Sequence, residues 1–494
     1  MRDFILAIDQ STSATKAILF DKKGRLRHRS SVSHQQFYPQ PDWVEHNPEE
    51  IYRNTLKAIM QVMNDSGLKQ NDIAALAITN QRETVVVWEK KTGRPVYNAV
   101  VWQCQRGADF CRKLREQGHE PMFLAKTGLI IDPYFSASGV KWILDNVDGA
   151  MEKARMGDLL LGTIDSWLVW KLTGGNVHAT DYSNACRTML FNIHTYAWDE
   201  NIADLLGIPL SMFPDVKFSD EMFGYTQPVK DFNLTLPIAG ILGDSHAALF
   251  GQNCFEPGMG KATYGTGSSI MMNIGNKPLE SPKGLVTSIG WGAKKEIVYV
   301  FEGNIHCTGD TINWLVNDIG LLDNPESSKE IALSVPDNNG VYLVPAFVGL
   351  GAPYWNNNAR AIITGMPRST KKAHIVRAAL EAIAYQVRDL TDLMTTGSGV
   401  KLIELRVDGG PTKNAFLMQF QADILNASIN RCDITEVSAL GSAYMAGLAT
   451  EVWENLEEIK ALRGKDEIFT GKMREEQRNK LYSGWKKAVG RALL

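Results

Sequence analysis

Short apolar runs alternate with longer amphipathic ones along this chain, the pattern of an α/β protein. FILAID (4–9) and KAILFD (16–21) read as strands around the small-residue turn QSTSAT. From Pro48, PEEIYRNTLKAIMQVMND places apolar residues at 51, 56, 59, 60, 62 and 63, a helical spacing. IAALAIT (73–79) and TVVVWE (84–89) read as further strands. Later, PIAGILGD (237–244) reads as a strand entering a helix, and GKATYGTGSSIMMNIG (260–275) as strand–turn–strand. AHIVRAALEAIAYQVRDLTDLM (373–394) predicts a long helix and IELRVDGG (403–410) a strand. Each half holds a strand ending in an acid before a small-residue turn, AIDQST early and RVDGGPTKN late. That echo suggests duplication, with domains at 1–250 and 251–494.

Composition narrows the function classes. A chain of 494 residues suits two domains rather than one core. With a net charge of -3 there is no basic excess to neutralise nucleic-acid phosphates. MRDFILAIDQ has too short an apolar run for a signal peptide or anchor, and no run is long enough to span a bilayer. Cys104, Cys111, Cys186, Cys254, Cys307 and Cys432 are scattered without a CxxC pair, which fits reduced thiols rather than disulfides or structural zinc. A cytoplasmic protein acting on small molecules is expected, without nucleic acid or membrane insertion.

Several stretches carry chemistry. In AIDQSTSATK, Asp9 ends a strand before a turn rich in hydroxyls, which suits phosphate oxygens and a hydrated magnesium ion, or simply a polar hairpin. The glycines around Thr266 in YGTGS allow close backbone approach to a phosphate. VDGGPTKN (407–414) is a strand–turn–helix junction of the same kind. Arg82 and Glu83, a donor and an acceptor side by side, can bind vicinal hydroxyls, with the Trp102 indole against a carbon skeleton. Asp244, Ser245 and His246 in GDSHAALFG are no hydrolase triad, because adjacent residues point in different directions. His246 and His306 lack a third ligand for zinc. Three small-residue turns in a duplicated α/β chain suggest an actin-like arrangement, in which two domains clamp a nucleotide.

At WVEHNPEEI (43–51), ITNQRET (78–84), NAVVWQC (98–104), GLIIDPYFS (128–136), TYGTG (263–267), PAFVGLGAPYW (345–355) and RVDGG (406–410), the chain resembles the FGGY carbohydrate kinases. Over nearly its whole length it looks most like their glycerol-phosphorylating members. The resemblance implies an α/β fold of two ribonuclease-H-like (actin-like ATPase) domains with a catalytic cleft between them. It implies ATP and Mg2+ as cofactors, a small polyol substrate and a homodimer. Position by position, Thr12, Ser13, Ala14 and Lys16 fall in the phosphate-contacting turn, and Thr266, Gly309, Asn313, Gly410 and Asn414 match nucleotide contacts. Arg82, Glu83, Trp102, Tyr134 and Asp244 match the polyol site, and Asp9 and Asp244 match the acids tied to magnesium and base catalysis.

The departures from the family pattern cluster at the acceptor. Ser245 replaces a glutamine, Ser269 replaces a phenylalanine, and 303–314 is more polar than usual, with His306 and Asp310. The expected activity is therefore phosphorylation of a terminal hydroxyl of glycerol or a closely similar polyol. The alternatives are a four- or five-carbon polyol or ketose as acceptor, or an actin-like ATPase switch with no acceptor.

Overall fold

The computed structural model describes residues 2–356, 358–432 and 434–494. In the first sheet, β1 (Phe4–Gln10) and β2 (Ala14–Asp21) form a hairpin and β3 (Leu26–Ser33) extends it. On the other side of β1 lies β4 (Ile73–Asn80), parallel to it. With β5 (Met222–Tyr225) and β6 (Pro237–Gly243), the order is β5-β6-β4-β1-β2-β3. Strands β1 and β4 are buried almost end to end, which is why their sequences run apolar instead of alternating. Leu6 and Ile8 pack beneath α1 (Pro48–Ser66), whereas Ile5 and Ala7 face the opposite layer.

Helix α1 starts and stops on local chemistry. Asn47 caps it by accepting from the Glu49 and Glu50 amides, Pro48 occupies the first turn, and Gly67 at φ 67° ends it.

The second sheet repeats the plan. Strands β7 (Met259–Tyr264) and β8 (Ser268–Gly275) form the hairpin, continued by β9 (Val286–Ala293) and β10 (Glu296–Ile305). Strands β11 (Glu404–Gly409) and β12 (Ser428–Arg431) lie parallel beyond β7, and β13 (Glu467–Phe469) closes the order β9-β10-β8-β7-β11-β12-β13. The duplication is real, but the sequence echo joins non-equivalent strands. The counterpart of AIDQST is the YGTG turn between β7 and β8, and RVDGG on β11 stands where β4 stands in the first sheet. The mismatch has a physical source: several strands end at the cleft in small and acidic residues, so that signature alone does not identify which strand is which.

Helix α2 (Asp244–Gly251) follows β6, and α3 (Gly309–Asn317) follows β10. Helices α4 (Lys372–Ser398) and α5 (Ala415–Leu425) build the second core. Helix α6 (Val437–Ala449), although late in the chain, packs on α2 and on β1, β4 and β6 of the first sheet. The crossing is too close for side chains. A Cβ on Gly441 would lie 1.9 Å from the Ala247 carbonyl oxygen, and one on Gly251 2.3 Å from that of Val437.

A smaller sheet pairs Val85–Glu89 with Leu159–Thr163. Asp165, wholly buried just beyond it, accepts from the hydroxyls of Thr163 (2.5 Å) and Thr180 (2.6 Å). Burial, reinforced by neighbouring Asp181, pushes the Asp165 carboxyl up to about 7. The folded chain therefore holds a proton that the unfolded chain releases near the ordinary carboxylate value. The associated stability is complete at low pH and is lost as pH rises from about 4 through 7. Asp165→Asn, which still serves both threonines, should flatten that slope in melting curves and be the more stable protein at pH 8, by an amount on the order of 2–4 kcal/mol.

Candidate active site

A cleft of about 700 Å³ lies between the sheets, lined from the first half by Thr12, Arg82, Glu83, Trp102, Tyr134, Asp244 and Ser245. From the second half it is lined by Thr263, Ser269, Glu302, Asn304 and His306. A second cavity, of about 570 Å³, is lined by Thr266, Gly309, Asn313, Gly410 and Asn414. The two share Gly265. Every polyol-site residue named from the sequence thus lines one pocket, and five of the nucleotide-site residues line the other. Asp9, Ser13, Ala14 and Lys16 line neither, although they flank the same turn as Thr12.

The acceptor side of the first pocket is held by a lattice of buried charges. Arg82 gives both terminal nitrogens to Glu302, at 3.0 and 2.9 Å. Arg187 contacts Glu83 through Nε at 2.7 Å and Glu302 through Nη1 at 3.0 Å. Two guanidiniums and two carboxylates balance in a space closed to water. Burial opposes the Glu302 charge, yet Arg187 and Arg82 outweigh it and hold this carboxyl well below the usual range. For Glu83 the balance tips the other way, and burial raises its pKa despite the same two arginines. Glu83 adopts φ 61°, an uncommon left-handed backbone for a side-chain-bearing residue, while its carboxylate is pinned by Arg187. Sequence reading missed Arg187 and Glu302. The signal was a charge inside an apolar stretch, as in VFEG (300–303) within β10.

Asp244 opens α2. Its side chain is 39% exposed and lies 3.2 Å from Arg82 Nε. His246, two residues on, is wholly buried with neither ring nitrogen partnered, and burial followed by the Arg82 charge drives its pKa far down. Thr12 Oγ1 accepts from the Trp102 indole at 3.1 Å, and Trp102 meets Tyr134 edge-on. The first turn, the indole and the phenol thus form one wall.

Lys16 Nζ bridges Glu436 (2.8 Å) and Asp9 (3.5 Å), tying the first turn to a residue from the second half of the chain. Burial pushes Asp9 up to about 6, with Lys16 opposing and Glu436 and Asp244 adding to the rise. Among the described residues, no group of three or more His, Cys, Asp or Glu side chains could cage a metal. Magnesium needs no such cage, because it keeps several waters and takes one or two carboxylates plus phosphate oxygens. Asp9 and Asp244, each facing a cation (Lys16 at 3.5 Å and Arg82 at 3.2 Å), offer the one or two carboxylates that demand requires.

In the second cavity the turn at Thr266 is fixed by backbone. The Thr308 and Asp310 amides donate to the Thr266 carbonyl, at 2.8 and 3.1 Å, and the Gly309 amide to that of Gly265. Asn414 caps α5 by accepting from the Leu417 amide, and its Nδ2 donates to Ser328 Oγ. The two neighbouring glycines here do different work. Gly409 stands at φ 100°, where a Cβ would lie 1.9 Å from the Tyr264 carbonyl oxygen, whereas a Cβ on Gly410 meets nothing and projects into open space. Gly409→Ala is therefore expected to lower the melting temperature markedly, and Gly410→Ala to melt like the parent, as differential scanning calorimetry would show.

Paired sheets of this topology, closing on an acceptor pocket joined to a second pocket lined by Gly265, Gly309 and Gly410, define a two-domain actin-like kinase. The chain belongs to the FGGY family of carbohydrate kinases: residues 4–251 match the model of its N-terminal domain and 260–450 that of its C-terminal domain. It is 54% identical to glycerol kinase 1 of Thermotoga maritima over 99% of both chains. It is also 52% identical to a glycerol kinase of Caldanaerobacter subterraneus, covering 100% of this chain and 99% of that one. Among solved structures, Plasmodium falciparum glycerol kinase with ADP superposes at a TM-score of 0.94 with 38% identity, covering 99% of this chain and 98% of that one. A Lactobacillus acidophilus xylulose kinase shares the fold at a TM-score of 0.89 with 20% identity, covering 99% and 98%. Family membership makes the chain an ATP-dependent phosphotransferase and sets aside the acceptor-free switch. Among the described residues, no helix is long and apolar enough to cross a membrane.

Proposed function

We propose that this enzyme transfers the terminal phosphoryl group of ATP to a terminal hydroxyl of glycerol or a closely similar polyol. The observation that carries the reading is Asp244 beside Arg82 in an acceptor pocket that shares Gly265 with the nucleotide cavity. Its relatives named as glycerol kinases support the choice of acceptor.

In this reading Asp244 accepts the proton of the attacking hydroxyl. Arg82 and Glu83 hold the remaining hydroxyls, and Trp102 and Tyr134 cover the carbon chain. Phosphoryl transfer needs alignment and charge compensation more than covalent help. Thr12, Ser13 and Ala14 on one turn and Thr266 on the other would contact the transferring phosphate, with Lys16 adding charge. Gly309, Asn313, Gly410 and Asn414 would receive the nucleotide. Magnesium, when bound, supplies positive charge to the phosphates, and Asp9 and Asp244 are the residues to hold it. Glycerol-dependent ADP release, with the product identified as glycerol 3-phosphate by phosphorus NMR, tests the reading. ATP turnover indifferent to every polyol would sink it.

A further inference from the structure

The kinase reading leaves part of the acceptor pocket without work, and the inference rests on that reading. Register sets three side chains of the second sheet in a row: Thr263 on β7 pairs with Ser269 on β8, and Ser269 with Asn304 on β10. Partners in register share a face of the sheet, and this face lines the same pocket as Ser245. At about 4.8 Å between strands, the row runs about 10 Å across the cleft. His306, two residues beyond Asn304, continues it.

The hydrogen-bonding capacity along this row is unevenly spent. Buried Lys261, which can only donate, reaches Thr263 Oγ1 at 3.2 Å and Ser269 Oγ at 3.5 Å. Thr263 passes its own proton to Asp408 at 3.3 Å and is satisfied. Ser269 has no such acceptor, so its hydroxyl proton is free to point into the cleft. The Asn304 amide makes no hydrogen bond among the described residues, the Ser245 hydroxyl makes none, and His306 Nδ1 is buried without a partner. Polar groups in a closed site are normally met by protein, water or ligand. A triol anchored on Asp244, Arg82 and Glu83 has each of its three hydroxyls engaged on that side, whereas a longer chain brings further hydroxyls that can meet these groups.

We propose that the pocket is built for a straight-chain polyhydroxylated acceptor of four or five carbons, a polyol or its keto form. Its hydroxyls beyond the third meet Ser269, Asn304 and His306. The chemistry is that of the shorter acceptor: a bond forms between the terminal hydroxyl oxygen and the γ-phosphorus, the bond from that phosphorus to the β-phosphate oxygen breaks, and the hydroxyl proton passes to Asp244. Ser269 and Asn304 are specificity residues that bind the distant end of the chain.

The test is ADP release by the full-length protein with glycerol, erythritol, threitol, xylitol, ribitol, arabitol, ribulose and xylulose. At least one longer acceptor should exceed glycerol in kcat/KM by about tenfold or more, a gap of the size that buried polar groups confer on a matched over an unmatched ligand. Asn304→Ala and Ser269→Phe should each cut the ratio of that acceptor to glycerol by a similar factor, mainly through KM. A wild-type enzyme that prefers glycerol to every longer acceptor overturns this inference and leaves the kinase reading intact. A folded protein that no acceptor stimulates overturns both. If a variant does not fold, the wild-type ratio decides alone, and polyols against ketoses within the panel tell which form is bound.

Discussion

Replacing Asp244 with asparagine should lower kcat for polyol phosphorylation by about 10²–10⁴-fold with little change in the KM for ATP. Asparagine keeps the size of the side chain and a carbonyl oxygen for the Ser245 amide, which donates to Asp244 at 2.6 Å. It cannot accept the hydroxyl proton. Asp244 is partly exposed and sits at a helix start rather than in a packed core, so thermal melting should be nearly unchanged. A loss confined to kcat in a normally folded protein, with the magnesium dependence of the rate unchanged, identifies the base. If kcat stays within threefold of the parent, another group accepts the proton.

Glu302→Gln is expected to damage both stability and acceptor binding. Glu302 alone faces both arginines through both of its oxygens, and both its side chain and theirs are almost completely shielded from solvent. Without its charge, the two buried guanidiniums keep only Glu83 and, for Arg82, the partly exposed Asp244, so the buried set is left one carboxylate short. Removing one partner from such a lattice costs about 3–5 kcal/mol, far more than the intact pairs contribute. Arg82 also loses the fork that aims it, so the KM for the acceptor should rise. Adding Arg187→Gln restores the charge count, and the double variant should melt above Glu302→Gln itself. A Glu302→Gln protein with parental melting and KM would contradict the lattice as described.

Local chemistry was readable from the chain where neighbours in sequence decide the structure. Helix α1 and the strands at 4–10, 14–21, 73–80 and 404–409 follow from periodicity within a residue or two, while the long helix read over 373–394 runs on to Ser398. The pocket residues named in advance do converge, because each sits at a strand end or turn whose small and polar residues mark it. Arg187 and Glu302 were hidden for the opposite reason. They lie 115 residues apart, and their meaning exists only once Arg82 and Glu83 come between them. The pairing of duplicated turns failed for a similar cause: equivalence is a property of sheet order, which no single stretch of sequence contains.

Helix α6 carries a consequence for how the molecule can be divided. It is made late, after nearly all of the second sheet, yet its Ala439, Ala443 and Ala446 cover Ile5, Ala7, Ala75 and Ala77 of the first. A gene cut after residue 251 would leave that apolar face bare, and the fragment should aggregate unless residues 437–449 are supplied with it. Shuffling the halves between relatives as cassettes would fail for the same reason. The doubling survives in the architecture, but an apolar face of the first half is now covered by a helix of the second.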